Sequence, residues 1–139
     1  MNDLAQRWDL DAVRAGIGVC LILAIPLTLI AAFVDSGDAG LNALFFFGAM
    51  FGFVLGSGCA AWLQRRGTPL SHGMVTAMVA YLGAQAVFIT IRLVGGNTVN
   101  WFGVFFTLSL VMLAGLFGGL LGSLLQARGV VPSSRRSQP

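Results

Sequence analysis

Four apolar stretches, each about as long as a bilayer is thick, occupy most of this sequence: 15–33, 41–63, 72–93 and 101–125. An α-helix rises about 1.5 Å per residue, so about 20 apolar residues cross a hydrocarbon core of about 30 Å. Because lipid offers no hydrogen-bond partner, the backbone polar groups must pair within each helix. The sequence therefore predicts an all-α protein, a four-transmembrane-helix up-down bundle, whose first partner is the lipid bilayer.

The composition excludes an ordinary soluble domain. Of the 139 residues, 57% are hydrophobic and only 9% are charged, whereas a soluble domain carries about 25% charged residues. The short connections leave no room for a second folded domain. We expect a leader at 1–14, a transmembrane domain at 15–125 and a tail at 126–139 that is predicted to be disordered.

The arginines predict how the bundle is oriented. All eight basic residues are arginine, and only Arg92, near the outer end of the third stretch, falls on the other side. By the positive-inside rule, both termini and the second connection are cytoplasmic. This topology explains the net charge of +3 without a nucleic-acid partner. A cleaved signal peptide is the alternative for the first stretch, but its long leader with three aspartates favours a retained anchor. The seven arginines on the cytoplasmic side are Arg7, Arg14, Arg65, Arg66, Arg128, Arg135 and Arg136.

Glycine is the clearest non-random feature, with 19 copies. In the second stretch three glycines form an uninterrupted GxxxGxxxG, and in the fourth stretch four glycines occupy a sector of about 100°. Helices in lipid associate through close backbone approach, which glycine permits, so these faces are predicted to pack. Their partner is left open: another helix of this chain, a second copy, or a different membrane protein. The helix-packing residues are Gly48, Gly52, Gly56, Gly115, Gly118, Gly119 and Gly122.

Polar residues within the third stretch are the candidates for function. Tyr81, Gln85 and Arg92 fall within a stripe of about 40° on an ideal helix. One interpretation is a polar track or binding groove at the centre of the bundle. The other is a single interhelical hydrogen bond from Gln85, a buried Tyr81, and an Arg92 that extends to the outer surface. His72 stands alone, and we interpret it as an interfacial residue.

The ends of the second and fourth stretches match each other at an offset of 62 residues. Gly56 matches Gly118, Gln64 matches Gln126, and the following Arg-Gly pairs coincide as well. The chain is therefore described either as a simple bundle or as two tandem helical hairpins related by an axis along the membrane normal. The alternative explanation is that helices ending at the same interface use the same few residue types.

No residue set in the sequence predicts catalysis. The chain has no Glu or Lys, and all five Asp residues lie in the leader or the first outer connection. A proton-coupled transporter usually relies on an intramembrane acid. Cys20 and Cys59 lack the spacing of a metal or redox site. We therefore expect no enzyme, no catalytic residue, no metal and no cofactor.

One segment carries a resemblance. The run Phe-Gly-Ala-Met-Phe-Gly-Phe-Val-Leu-Gly-Ser-Gly-Cys-Ala at 47–60 is followed by Arg-Arg-Gly-Thr-Pro-Leu-Ser-His-Gly at 65–73. Over residues 44–87 it resembles small four-helix integral membrane proteins of Gram-positive and actinobacterial genomes. The resemblance implies the fold and no catalytic residues. It also implies that the chain belongs in a bacterial cytoplasmic membrane.

Two functions remain as hypotheses at this stage. The first is a non-enzymatic membrane protein that associates with itself or with a larger membrane complex through its glycine faces. The second is a small channel or transporter subunit with a polar track along the third helix.

Overall fold

A computed structural model describes residues 8–34, 38–130 and 132, and throughout this part of the chain it contains α-helices and no strand. The four helices are α1 (Leu10–Phe33), α2 (Ala39–Leu63), α3 (Pro69–Val94) and α4 (Trp101–Ala127). All four are long and apolar enough to cross a membrane. The prediction of an all-α four-helix bundle is confirmed, and the chain is a multi-pass membrane protein.

Capping residues, rather than hydropathy, determine where the helices begin. The Asp9 carboxylate accepts a hydrogen bond from the Ala12 N–H, so α1 starts at Leu10. The Asp38 carboxylate caps α2 in the same way, and Pro69 occupies the first turn of α3. Side chains of this type satisfy backbone donors that a helix leaves free. The helix α1 therefore includes residues 10–14 of the expected leader, and the boundary of the membrane-spanning part stays a prediction. Most of the predicted tail, 131 and 133–139, lies outside the described residues.

In this bundle α2 and α3 contact each other, and α1 and α4 each pack against both of them. We call the end with Asp9, residues 64–68 and Arg128 the basic end. The opposite end, where α1 connects to α2 and α3 connects to α4, is the open end.

The two ends are packed very differently. In α3, buried residues run from His72 to Tyr81, and none lies between 82 and 94. In α4 the first buried residue is Val111, ten positions into the helix. Phe53, Tyr81 and Val111 belong to the apolar cluster at the boundary. The bundle is therefore closed towards the basic end and splayed towards the open end.

Glycines close the basic half. A Cβ added at Gly73 would lie 2.6 Å from the Gly115 carbonyl oxygen, and one at Gly122 would lie 2.6 Å from the Ala61 Cβ. Real Cβ atoms do not come this close, so any side chain here would push the helices apart. Glycine is thus required by the distance between backbones.

The predicted packing faces all contact helices of the same chain. Gly48, Gly52 and Gly56 lie against α1. The sector of about 100° indicated that the four glycines of α4 form a single packing face. In the structure they form two faces. Gly115 and Gly119 lie against α3, whereas Gly118 and Gly122 lie against α2.

Candidate functional site

The polar stripe of α3 lines a cleft in the open half. Tyr81 lies at its floor, where the hydroxyl donates to the Val104 carbonyl of α4 at 2.9 Å. Gln85, one turn further along, donates through Nε2 to the Tyr81 hydroxyl at 3.0 Å. The interhelical hydrogen bond is therefore made by Tyr81, and the expectation that Gln85 makes it is wrong. Tyr81 is only 4% exposed, and its ring meets the edge of Phe53 at a centroid distance of 6.4 Å.

The inner part of the cleft is a cavity of about 200 Å³ that all four helices surround. Its walls are mostly apolar, and its polar lining groups are two threonines together with Gln85 and Tyr81. Such a wall, with few polar groups among many apolar ones, is typical of small-molecule sites. The apolar part includes Leu21, Ala24, Met50, Phe53 and Phe88, and the threonines are Thr28 and Thr107.

The outer part is a cavity of about 350 Å³ bounded by α1, α3, α4 and the connection before α4. Thr28, Gln85, Phe88 and Thr107 line both cavities, so the two adjoin and form one cleft. Arg92 and Asn100 lie at its mouth. Tyr81 and Gln85 line the inner cavity, and Gln85 and Arg92 line the outer one; a role for the stripe as a binding groove stays a prediction.

Arg92 is available to a ligand. The residue is exposed, and in the described parts of the chain its guanidinium forms no ion pair or hydrogen bond. Asp38, an acidic residue at the same end, uses its carboxylate to cap α2. An arginine side chain stays protonated and offers five N–H donors. The mouth of the cleft thus carries a positive charge.

A second polar cluster lies at the basic end and has His72 at its centre. His72 is fully buried within the protein and does not stand alone; its placement at the membrane interface stays a prediction. Its Nε2 accepts the Asp9 backbone N–H at 3.0 Å, and its Nδ1 donates to the Thr68 carbonyl at 2.8 Å. Asp9 in turn accepts the Arg65 N–H at 3.1 Å, and Trp8 contacts the imidazole ring at a centroid distance of 5.1 Å. The cluster ties the start of α1 to the connection between α2 and α3.

Gln126 completes the end of α2. Its Nε2 donates to the carbonyl oxygens of Ala61, Trp62 and Gln64 at 3.1, 2.9 and 3.0 Å. These carbonyls lie at the C-terminal end of α2, where a helix leaves acceptors unpaired. Gln64, the repeat partner of Gln126, donates to its Oε1 at 3.3 Å. The two glutamines that match at an offset of 62 residues are therefore in direct contact.

A further groove lies on the outer side of α2 and α4. It encloses about 500 Å³ and includes Cys59, Trp62 and Arg128. Cys59 is a free thiol of intermediate exposure, and Trp62 donates through Nε1 to the Val130 carbonyl at 2.7 Å. Within the described ranges, no three His, Cys, Asp or Glu side chains come together as metal ligands would.

Sequence reasoning missed several residues of both clusters. Thr28 and Thr107 line the cleft from α1 and α4, and single threonines in apolar helices carry no pattern that reveals this. Asp9 and His72 are 63 positions apart, so no local motif connects them. The sequence did indicate Gln64 and Gln126, because they match each other at the offset of 62 residues. The match did not indicate that their side chains are in contact.

The comparisons with known proteins add no relative: no family model matches the chain, and neither does any curated protein or solved structure. The function must therefore be argued from the site alone.

Proposed function

We propose that this protein is a non-enzymatic integral membrane protein whose open half binds a ligand, as the binding subunit of a small transporter or channel. The observation that supports this proposal is the continuous cleft along Tyr81, Gln85 and Arg92. Its outer cavity, of about 350 Å³, falls within the size range of known ligand pockets, about 300–1,000 Å³, and the inner cavity of about 200 Å³ adjoins it. The cleft also contains Arg92, which has no partner among the described residues, and few other polar groups.

The arginine distribution supports an orientation for the cleft. The basic end carries Arg14, Arg65, Arg66 and Arg128, whereas Arg92 lies at the open end. The positive-inside rule then favours a bacterial cytoplasmic membrane with both termini inside and the cleft open to the outside. The resemblance to small four-helix proteins of Gram-positive and actinobacterial genomes remains part of the same proposal.

The closed basic half favours a binding pocket over an open pore. Beneath Tyr81, the small residues Ala77, Ala80 and Gly115 bring α3 and α4 together. No cavity among those described crosses this region. A ligand that enters the cleft therefore meets a floor.

Cysteine labelling in intact cells tests both the cleft and its orientation. In a background with Cys20→Ala and Cys59→Ala, a membrane-impermeant thiol reagent is applied from outside. We expect Thr107→Cys, which lines the cleft, to react, because thiols react as thiolates in water. Val87→Cys is the matched control, since Val87 is 59% exposed and lines none of the cavities; in lipid it should stay unmodified.

Thr98→Cys, in the exposed connection between α3 and α4, reports the orientation. Reaction at Thr98→Cys without reaction at Thr107→Cys would contradict a water-filled cleft. Failure of both to react from outside, with reaction after the membrane is opened, would contradict the proposed orientation.

Self-association is a second proposal, but it cannot use the glycine faces, which are already occupied within the chain. The groove between α2 and α4 is the surface that favours it, because the small residues Gly58 and Cys59 line it beside apolar ones. Oxidative crosslinking of native membranes would test this, with Cys59 as the reporter. A Cys59-dependent dimer band is expected from association through this groove, and Cys59→Ser is the control. A monomer band alone would exclude this face.

A further inference from the structure

The positive charge at the mouth of the cleft favours a ligand with a negative charge. Arg92 and Asn100 lie there, and of the described residues that line either cavity none is acidic. α4 begins beside them at Trp101, and the N-terminal end of a helix carries a partial positive charge. Arginine in a fixed cleft recognises carboxylate and phosphate oxygens through two parallel hydrogen bonds. The mouth is therefore suited to an oxyanion.

The length of the cleft matches one leaflet of a bilayer. Arg92 and Tyr81 both belong to α3, and their separation of eleven positions corresponds to about 16 Å along the helix axis. Half of the hydrocarbon core measures about 15 Å. Tyr81 lies midway along α3, Pro69–Val94, so a bilayer centred on this helix has Arg92 at headgroup depth and the inner cavity at the depth where an acyl chain ends.

The inner cavity also reaches the lipid face of the bundle. Ile25 of α1 and Phe46 of α2 line it, and their exposures are 36% and 37%. These side chains border the cavity and also face the surroundings of the bundle. A hydrocarbon chain beside them is therefore next to the cavity without first leaving the membrane.

From these three observations we infer that the cleft binds an amphipathic anion: a carboxylate or phosphate headgroup held by Arg92, with one acyl chain in the inner cavity. The inference rests on the proposed function, since it names the ligand of the same cleft. The acid comes from a free fatty acid or from the headgroup of an anionic phospholipid. Both share the chemistry of an oxyanion on a hydrocarbon chain, which soluble phosphate lacks.

Saturation binding of tritiated oleate to the purified full-length chain in dodecyl maltoside tests the role of the charge. We expect Arg92→Gln to weaken oleate binding by about tenfold or more, because a charge-assisted hydrogen bond is lost. Arg128→Gln, which removes an arginine at the other end, should leave binding unchanged. Oleyl alcohol, which keeps the chain and lacks the charge, should compete about tenfold less well with the wild type. Equal oleate binding by Arg92→Gln and wild type would overturn the inference.

A pair of adjacent substitutions separates failure of the inference from failure of the proposed function. Ala84 lines the inner cavity, whereas a Cβ at Gly83 would meet no atom within 4 Å. We expect Ala84→Phe to abolish binding of both oleate and oleyl alcohol, and Gly83→Phe to retain it, with both variants eluting as the wild type does in gel filtration.

If Ala84→Phe blocks binding while Arg92→Gln has no effect, the cleft binds a ligand but the anion is wrong. If neither variant changes binding, both the cleft and its ligand are wrong. Competition then identifies the source of the headgroup. Displacement of oleate by phosphatidylglycerol, and not by phosphatidylcholine, assigns an anionic phospholipid, and displacement by neither assigns a free fatty acid. Displacement by inorganic phosphate would overturn the requirement for an acyl chain.

Discussion

The two halves of this bundle are built from different residues and do different things. In the basic half, glycine and alanine let backbones touch, and His72 and Gln126 bind the helix ends to one another. In the open half, residues 82–94 of α3 and 101–110 of α4 include no buried position. The first half contains most of the close contacts, and the second contains the cleft.

This division separates stability from binding. Close packing and satisfied hydrogen bonds in one place allow the rest of the molecule to keep loosely packed helices, which a ligand can enter. The comparison predicts that substitutions in the basic half change the free energy of unfolding and that substitutions in the open half change binding.

The largest effect is expected at the glycine contact between α3 and α4. A Cβ at Gly73 would lie 2.6 Å from the Gly115 carbonyl oxygen and 2.8 Å from the Gly119 Cα. We expect Gly73→Ala to lower the free energy of unfolding by about 3 kcal/mol, as overpacking of a dense core does. Unfolding by titration with denaturing detergent measures this. Gly83→Ala, in the open half of the same helix, should be neutral or stabilising by up to about 1 kcal/mol. Equal stability of the two variants would refute the comparison.

The second-largest loss in the free energy of unfolding is expected from Gln126→Glu. The substitution keeps the shape of the side chain but replaces three donated hydrogen bonds with a carboxylate that faces carbonyl oxygens. We expect a loss of about 2 kcal/mol, because buried acceptors lose their partner at the negative end of α2. Ser123→Ala on the same helix, whose hydroxyl bonds only to Leu120, is the control. A loss below that of the control would show that the cap contributes nothing.

His72→Phe is expected to cost somewhat less, about 1–2 kcal/mol. Phenylalanine keeps the ring contact with Trp8 but leaves the Asp9 N–H and the Thr68 carbonyl without their partner. Thermal unfolding in detergent, alongside Ser71→Ala at the neighbouring position, measures the difference. An unchanged midpoint for His72→Phe would mean that the aromatic contact alone holds the start of α1.

The smallest effect on stability is expected from Arg92→Gln. Since the guanidinium has no partner among the described residues, its loss should change the free energy of unfolding by less than about 0.5 kcal/mol. The same unfolding titration applies. A loss as large as that of His72→Phe would place Arg92 within the packing of the fold and blur the distinction between the halves.

The sequence predicted the helices because membrane thickness and backbone hydrogen bonding leave few alternatives. It predicted the glycine faces but not how they are shared. In α4 the i, i+4 pair Gly115 and Gly119 contacts α3, and the pair Gly118 and Gly122 contacts α2, whereas the helical sector merges the two pairs. Which neighbour each pair meets depends on the arrangement of all four helices.

The candidate site was predicted in part. Tyr81, Gln85 and Arg92 share a stripe because helical periodicity is a local property, and all three line the cleft. The cavity itself depends on how far the helices splay, which no single helix encodes. The burial of His72 is a similar case, since its partner Asp9 comes from the other end of the first hairpin.

The contact between Gln126 and the end of α2 also has a consequence for biogenesis. The ribosome delivers α2 long before it delivers residue 126, so the carbonyls of Ala61, Trp62 and Gln64 first reach the membrane interface without this donor. During translation the hairpin of α1 and α2 therefore lacks the side-chain cap at the end of α2. Its last acceptors gain their side-chain partner only when the final turn of α4 arrives, so we expect a chain truncated before residue 126 to lack this cap.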